Sequence, residues 1–320
     1  LMIWSRASIK SILMNYLKIK YLVFLFFFLS SISYGLTFKN GEQEVDSKKF
    51  LDSDYIFKPD QIVKWDEDTG LMSETYTILD NTPDIPHSHS WVNDIVRDGD
   101  FAIKLEIHGN ECGGGDCSRR DVGNFKGAVG RTGFGFFDKK HSGENWIRWS
   151  MYVPESTSHI EGYTMLNQFK TDTRADINDC PTIPLYFKLG DNGIEISREV
   201  GGCGPNENWD NNENLISYDE NFRGKWLDFL AHINWSNKDD GFVYIWVNGE
   251  KRYEFDGFTI HPDIKNYKNY PPVPRFEIYN GNRKENSTDK QVIYYDAFYI
   301  AKTCKKMMLE NLGYSCDELS

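Results

Sequence analysis

From Phe101 onward the chain alternates apolar and polar residues with a period of two. Phe101, Ile103, Leu105 and Ile107 interleave with Ala102, Lys104, Glu106 and His108. That is the pattern of a strand with one face buried and one face wet, and it is incompatible with a helix period of 3.6. Comparable segments are Trp146 to Val153, Tyr163 to Lys170, Leu185 to Leu189, Ile194 to Val200, Trp226 to Trp235, Phe242 to Asn248, Arg275 to Tyr279 and Val292 to Ile300. Turn signals separate them at Asp191 to Gly193, Asp240-Gly241 and Asn248-Gly249. Helical patterns are confined to Lys305 to Leu312 and a turn before Asp46, so a parallel α/β fold lacks its crossover helices. The expected fold is all-β: one antiparallel two-sheet jelly-roll sandwich, over residues 36–303. A disulfide-clipped helix and tail, 304–320, complete the chain.

With 36 Lys+Arg against 48 Asp+Glu the formal charge is −12, and no basic cluster occurs beyond the N-terminal region, which argues against nucleic acid as a partner. Tyr21 to Leu29 reads YLVFLFFFL behind Lys18 and Lys20, too short to span a bilayer and patterned like a secretory signal ending near Ser33-Tyr34-Gly35. Residues 1–35 are thus expected to be an upstream extension plus signal, with translation starting at Met14. Their removal takes away Arg6, Lys10, Lys18 and Lys20 and no acid, leaving a more acidic secreted or periplasmic chain with no membrane association, expected to be a monomer. Six cysteines, at 112, 117, 180, 203, 304 and 316, suit disulfides in an exported protein. Fifteen pairings are possible. Nearest-neighbour pairing would join 112 to 117, 180 to 203 and 304 to 316, closing short loops.

Strand parity says which polar residues share a face. In Arg275-Phe276-Glu277-Ile278-Tyr279 the apolar Phe276 and Ile278 must enter the core, sending Arg275, Glu277 and Tyr279 outward together. Gln168 and Lys170 share a face opposite Phe169, Tyr186 pairs in parity with Lys188, and Lys104, Glu106 and His108 form a third set. Lys, Arg, Gln and Tyr gathered on strand faces of an acidic protein suit an anionic sugar polymer. Gly113-Gly114-Gly115 is no nucleotide loop, because no Gly-Lys-Ser/Thr follows. Pro86-His87-Ser88-His89 sits among turn residues and reads as an exposed loop rather than a metal pair.

These pieces resemble the jelly-roll polysaccharide lyases, a group including alginate lyases, glucuronan lyase and heparin lyase I. Leu166-Asn167-Gln168-Phe169-Lys170 is similar to the group's Gln-x-His strand, and Arg275-Phe276-Glu277-Ile278-Tyr279-Asn280 to its Lys-x-Gly-Ile-Tyr-Asn strand. Gly224 to Phe229, Trp246-Val247-Asn248-Gly249 and Tyr294 to Phe298 add generic sandwich features. The chain departs twice: Lys170 stands where the group has His, and its Arg-rich strand is represented by Cys117-Ser118-Arg119-Arg120-Asp121-Val122, without the usual Glu.

The resemblance implies β-elimination on a uronate polymer. It makes Tyr279 the base and acid, with Gln168 and Arg120 neutralising the substrate carboxylate and Lys170 and Arg275 favouring the phenolate by charge. Arg119, Arg131, Tyr186, Lys188, His108, His232 and Glu277 are expected to bind substrate, with an imidazole of His108 or His232 available to replace the missing His. No cofactor is implied for the chemistry, and a structural calcium is expected at Asp296, helped by the Gly99 carbonyl and Glu67. A hydrolase on the same sandwich would need paired carboxylates, and the Glu-x-Asp-x-x-Glu strand is absent. A non-catalytic carbohydrate-binding sandwich is the alternative.

Overall fold

A computed structural model describes residues 38–39, 42–43, 77–78, 87–108, 111, 128–135, 142–157, 164–171, 183–199, 211–262, 264–283 and 289–319. The chain divides into two compact units, 1–46 and 47–320. In the first, β1 (Phe38–Lys39) pairs antiparallel with β2 (Glu42–Gln43). The expected signal and the turn before Asp46 lie outside the described residues. No helix among those described is long and apolar enough to cross a membrane.

The second unit is a sandwich of two antiparallel sheets. The first sheet runs β11 (Asn211–Ser217), β10 (Gly193–Arg198), β9 (Leu185–Gly190), β8 (Thr164–Lys170), β15 (Val273–Arg283), β6 (Ala128–Gly135) and β3 (Thr77–Ile78). The second runs β14 (Glu250–Asp256), β13 (Phe242–Val247), β12 (Trp226–Asn234), β7 (Glu144–Tyr152), β16 (Lys290–Ala301), β5 (Ala102–His108) and β4 (His89–Val92). The jelly-roll expectation holds, and the alternating segments fall on observed strands to within a residue or two at most ends. Asn248 and Gly249 join β13 to β14 with φ of 52° and 83°, the left-handed pair that a tight hairpin demands.

Between the sheets the alternating apolar residues make one aromatic-rich core. Trp149 of β7 stacks on Phe229 of β12 at 5.0 Å between centroids, and Phe276 of β15 lies 5.4 Å from Phe134 of β6. Each such ring removed from water contributes about 2–3 kcal/mol. Polar side chains also cross between the sheets. The Tyr295 hydroxyl, from β16, donates to the Leu166 carbonyl at 2.6 Å and lies 3.3 Å from that of Glu277, so the second sheet is tied to adjacent strands of the first. Burial, with the Glu277 charge adding, pushes this phenol well above 10, and it stays a donor.

The expected helix over Lys305 to Leu312 is instead two 3-10 turns, Cys304–Met307 and Leu309–Leu312. Met308 breaks them with a left-handed φ of 50°, and the carbonyls of Met307 and Met308 turn inward to accept from Arg148 Nη1 at 2.6 and 2.5 Å. Cys304 is bonded to Cys316, as nearest-neighbour pairing expects. The other four cysteines lie outside the described residues. This tail lays Met307 and Leu309 on Leu230, Trp246 and Ala301 across the outer face of the second sheet.

Candidate active site

The first sheet's outer face is built by two irregularities in β8 and β15. Leu166 and Phe169 both enter the core although they are three positions apart, and β8 absorbs the extra residue in a register shift between Met165 and Asn167. A matching shift occurs in β15 between Phe276 and Tyr279. The Asn167 amide ties the two strands by donating to the Arg275 carbonyl at 2.7 Å, and Tyr295 takes up the Leu166 carbonyl from below. Beside these strands, Thr164, Asn280 and Gln291 close a buried ring of hydrogen bonds of 2.6–2.8 Å linking β8, β15 and β16.

Register then assembles the site. One row across β15, β8, β9 and β10 reads Arg275, Gln168, Tyr186, Ser197. A second, across β6, β15, β8, β9 and β10, reads Arg131, Tyr279, Met165, Lys188, Glu195. Lys170 lies opposite Val273, beyond the first row. Neighbouring strands are about 4.8 Å apart and each residue advances about 3.3 Å, so the Tyr279 and Gln168 backbones, three residues out of register on β8, stand about 11 Å apart across the β8–β15 seam. The parity reading thus holds for Arg275, Glu277 and Tyr279, for Gln168 with Lys170, and for Tyr186 with Lys188.

Glu277 sits between the rows, with no exposed surface, and the Gln168 amide Nε2 donates to its Oε1. Gln168 is 2% exposed, and its Oε1 has no hydrogen-bond partner among the described residues. A buried, unsatisfied amide oxygen costs about 1–3 kcal/mol, a cost typical of sites kept ready for a ligand. Gly133, opposite Glu277 on β6, permits this packing: a Cβ there would lie 2.5 Å from that of Glu277. Lys188 Nζ lies 3.4 Å from Glu195 Oε2, balancing charge at the end of the Tyr279 row. The Glu277–Gln168 contact and the role of Glu195 escaped sequence reasoning; Gly133 inside a strand was the available signal. Arg131 has its backbone beside Tyr279, and Arg119 and Arg120 lie outside the described residues.

The structure does not bring His108 or His232 to this face. Both belong to the second sheet, where Leu105, Ile107, Ala231 and Ile233 fill the core and the intervening residues point the other way. His232 stacks on Trp146 at 3.9 Å, and its Nε2 lies 2.7 Å from Glu144 Oε1; burial lowers its pKa while Glu144 opposes. Neither imidazole can substitute for the one that Lys170 replaces. Alternation assigns each histidine a face of its strand, and only the sheet topology decides which layer carries it.

The calcium expectation at Asp296 does not fit either. Its carboxylate already accepts three backbone N–H groups, from Arg97 at 2.7 Å, Asp98 at 3.0 Å and Ala297 at 2.6 Å. Burial, partly offset by these donors, raises its pKa to about 6. The positive charge nearby is already supplied. Arg148 holds Asp98 and the Ala297 carbonyl, and Arg97 grips Asp228 at 2.7–3.3 Å. Among the described residues, guanidinium groups rather than further carboxylates stand beside Asp296, a surrounding that does not suit a hard cation. Glu67 lies outside the described residues.

Among solved structures, an endo-β-1,4-glucuronan lyase from the fungus Trichoderma reesei aligns over 78% of this chain and 91% of its own, at 15% identity and a TM-score of 0.48. An alginate lyase from Pseudomonas aeruginosa aligns over 63% and 83%, at 10% identity and 0.44. The family 7 alginate lyase A1-II′ aligns over 64% and 81%, at 13% identity and 0.40. No curated protein matches in sequence. The model of one protein family, described as polysaccharide lyase, matches residues 63–299, most of the chain including both strands of the site, and the protein therefore belongs to the polysaccharide lyase family.

Proposed function

We propose that this chain cleaves a uronate-containing anionic polysaccharide by β-elimination on the outer face of the first sheet. The observation that supports the reading is the strand register, which puts Arg275 and Gln168 in one row and Tyr279 and Lys188 in another on the outer face of the first sheet, with Phe276 and Ile278 buried in the core. In elimination the C5 proton leaves, the C4–O bond breaks and a C4–C5 double bond forms. The barrier falls when donors meet the negative charge that grows on the C6 carboxylate.

Gln168 is suited to that task. One amide hydrogen is held by Glu277, which fixes the amide plane and leaves the second hydrogen for a substrate oxygen. Arg275, next in the same row, adds a cation, and Lys170 extends the positive rim. Arg119 and Arg120 are the further candidates for that carboxylate. Tyr279 takes the C5 proton and returns it to the leaving oxygen, one phenol serving both roles when proton and leaving group lie on one side of the sugar. Arg131, Tyr186, Lys188 and Glu277 line the neighbouring subsites.

Export fits the signal-like leader and the Cys304–Cys316 disulfide. The test is incubation with alginate, glucuronan and glycosaminoglycans, followed by absorbance of the unsaturated uronate. A rise with one polymer is expected. Binding of these polymers without any product would instead make the chain a carbohydrate-binding sandwich.

A further inference from the structure

We infer that the second sheet carries a binding site for a zinc-class divalent cation, formed by His87, His108 and Glu111. The three belong to separate pieces of chain brought together by the β4–β5 edge: His87 precedes β4, His108 ends β5, and Glu111 follows through a turn closed by its N–H on the His108 carbonyl at 2.9 Å. One potential ligand atom from each lies within 4.8 Å of the others. His87 Nε2 stands 3.0 Å from Glu111 Oε2, and His108 Nδ1 stands 3.8 Å from Glu111 Oε1. Ligands at about 2.0–2.1 Å from a tetrahedral zinc are about 3.4 Å from one another, a spacing these two distances bracket.

The surroundings of His108 are a second, independent observation. Its Nε2 lies 2.5 Å from Glu106 Oε1, so the ring is oriented through the nitrogen that would not bind the ion. This is the carboxylate–histidine relay that fixes tautomer and ring direction at metal centres. Glu106 is 4% exposed and is itself held by Lys104 and by Lys290 at 2.7 Å, so both lysine charges are engaged on the orienting carboxylate. Glu111 is left to supply the ligand charge, steadied by the His108 backbone N–H at 2.7 Å. The two imidazoles stack at 4.1 Å with 15° between planes, which holds both rings beside the Glu111 carboxylate.

Two imidazoles and one carboxylate select a borderline ion over calcium or magnesium, which prefer all-oxygen shells. Three protein ligands leave a fourth position for water. Side-chain exposures of 35% for His87, 39% for His108 and 24% for Glu111 give the ion a path from solvent. His87 is therefore no loose loop residue, and its ring partner is His108 across the strand edge. The site lies on the sheet opposite the elimination face and is independent of the proposed reaction.

The test is calorimetric titration of chelator-treated full-length protein with zinc chloride, calcium chloride serving as comparison. One equivalent of zinc is expected, with His87→Ala, His108→Ala and Glu111→Gln each weakening it at least tenfold and His232→Ala leaving it unchanged. Cobalt chloride added to the unmodified protein should give the strong visible absorption of a tetrahedral site, a readout that needs no variant to fold. Absence of saturable zinc binding, equal affinity in His87→Ala, or preference for calcium would overturn the proposal.

Discussion

The outer faces of the two sheets have been put to opposite uses. On the second sheet the tail from Cys304 to Leu319 covers Leu230, Trp246 and Ala301 with apolar side chains, and two ion pairs lie among the described residues of that face, Arg97 with Asp228 and Arg148 with Asp98. On the first sheet Gln168 and Glu277 are equally buried, yet the amide oxygen of Gln168 is left without a partner among the described residues, and tyrosine and lysine stand around it. The lesson is that burial alone does not separate structural from functional polarity. A matched network stabilises a surface that has been closed, and a polar floor with an unspent acceptor marks one kept open.

The largest expected effect tests the open face. Tyr279→Phe removes one hydroxyl and should lower product release by a factor of about 10³ while polymer affinity changes little, as expected for loss of an acid–base group. Activity retained by that variant would strike Tyr279 from the reaction and leave the first sheet a binding surface. Arg148→Leu probes the closed face, where it strands the Asp98 carboxylate and the carbonyls of Ala297, Met307 and Met308. Unfolding in urea should show a loss of about 3–5 kcal/mol, with the turnover of the folded fraction unchanged. A turnover defect without a stability defect would erase the distinction between the two faces.

The smallest effect is a pH dependence. Asp296 has a folded pKa of about 6 against an ordinary 3.8, so the folded protein holds that proton more tightly than the unfolded chain does. Its contribution is therefore fully present below pH 3.8 and is lost as pH rises toward 6, by on the order of 3 kcal/mol in all. Asp296→Asn cannot titrate, so the stability difference between the two proteins should drift against the wild type across that window and level off above it. A drift of the opposite sign would mean that the three N–H donors outweigh burial.

Alternation made most of the fold legible, because β7, β9, β12, β13 and β16 each bury one face against the core. The strands it missed lack that contrast. Ala128–Gly135 contains three glycines, and Asn211–Ser217 and Glu250–Asp256 are edge strands with largely polar sequences. In the site, the outward set Arg275, Glu277 and Tyr279 could be read because β15 keeps its parity through the bulge. Strict alternation in β8 would send Leu166 outward with Gln168, whereas the bulge at Asn167 returns it to the core. Cross-strand partnerships such as Glu277 with Gln168 depend on register, which local sequence does not encode, and the same gap placed His108 and His232 on the wrong layer.

The Tyr295 hydroxyl gives that bulge an anchor outside its own sheet. Because the irregular turn of β8 that aims Gln168 is held by a phenol rooted in the far layer, sliding one layer over the other would misalign the floor of the cleft before it disturbed any loop at its rim. The distance between amide and phenol is thereby set from within the sandwich.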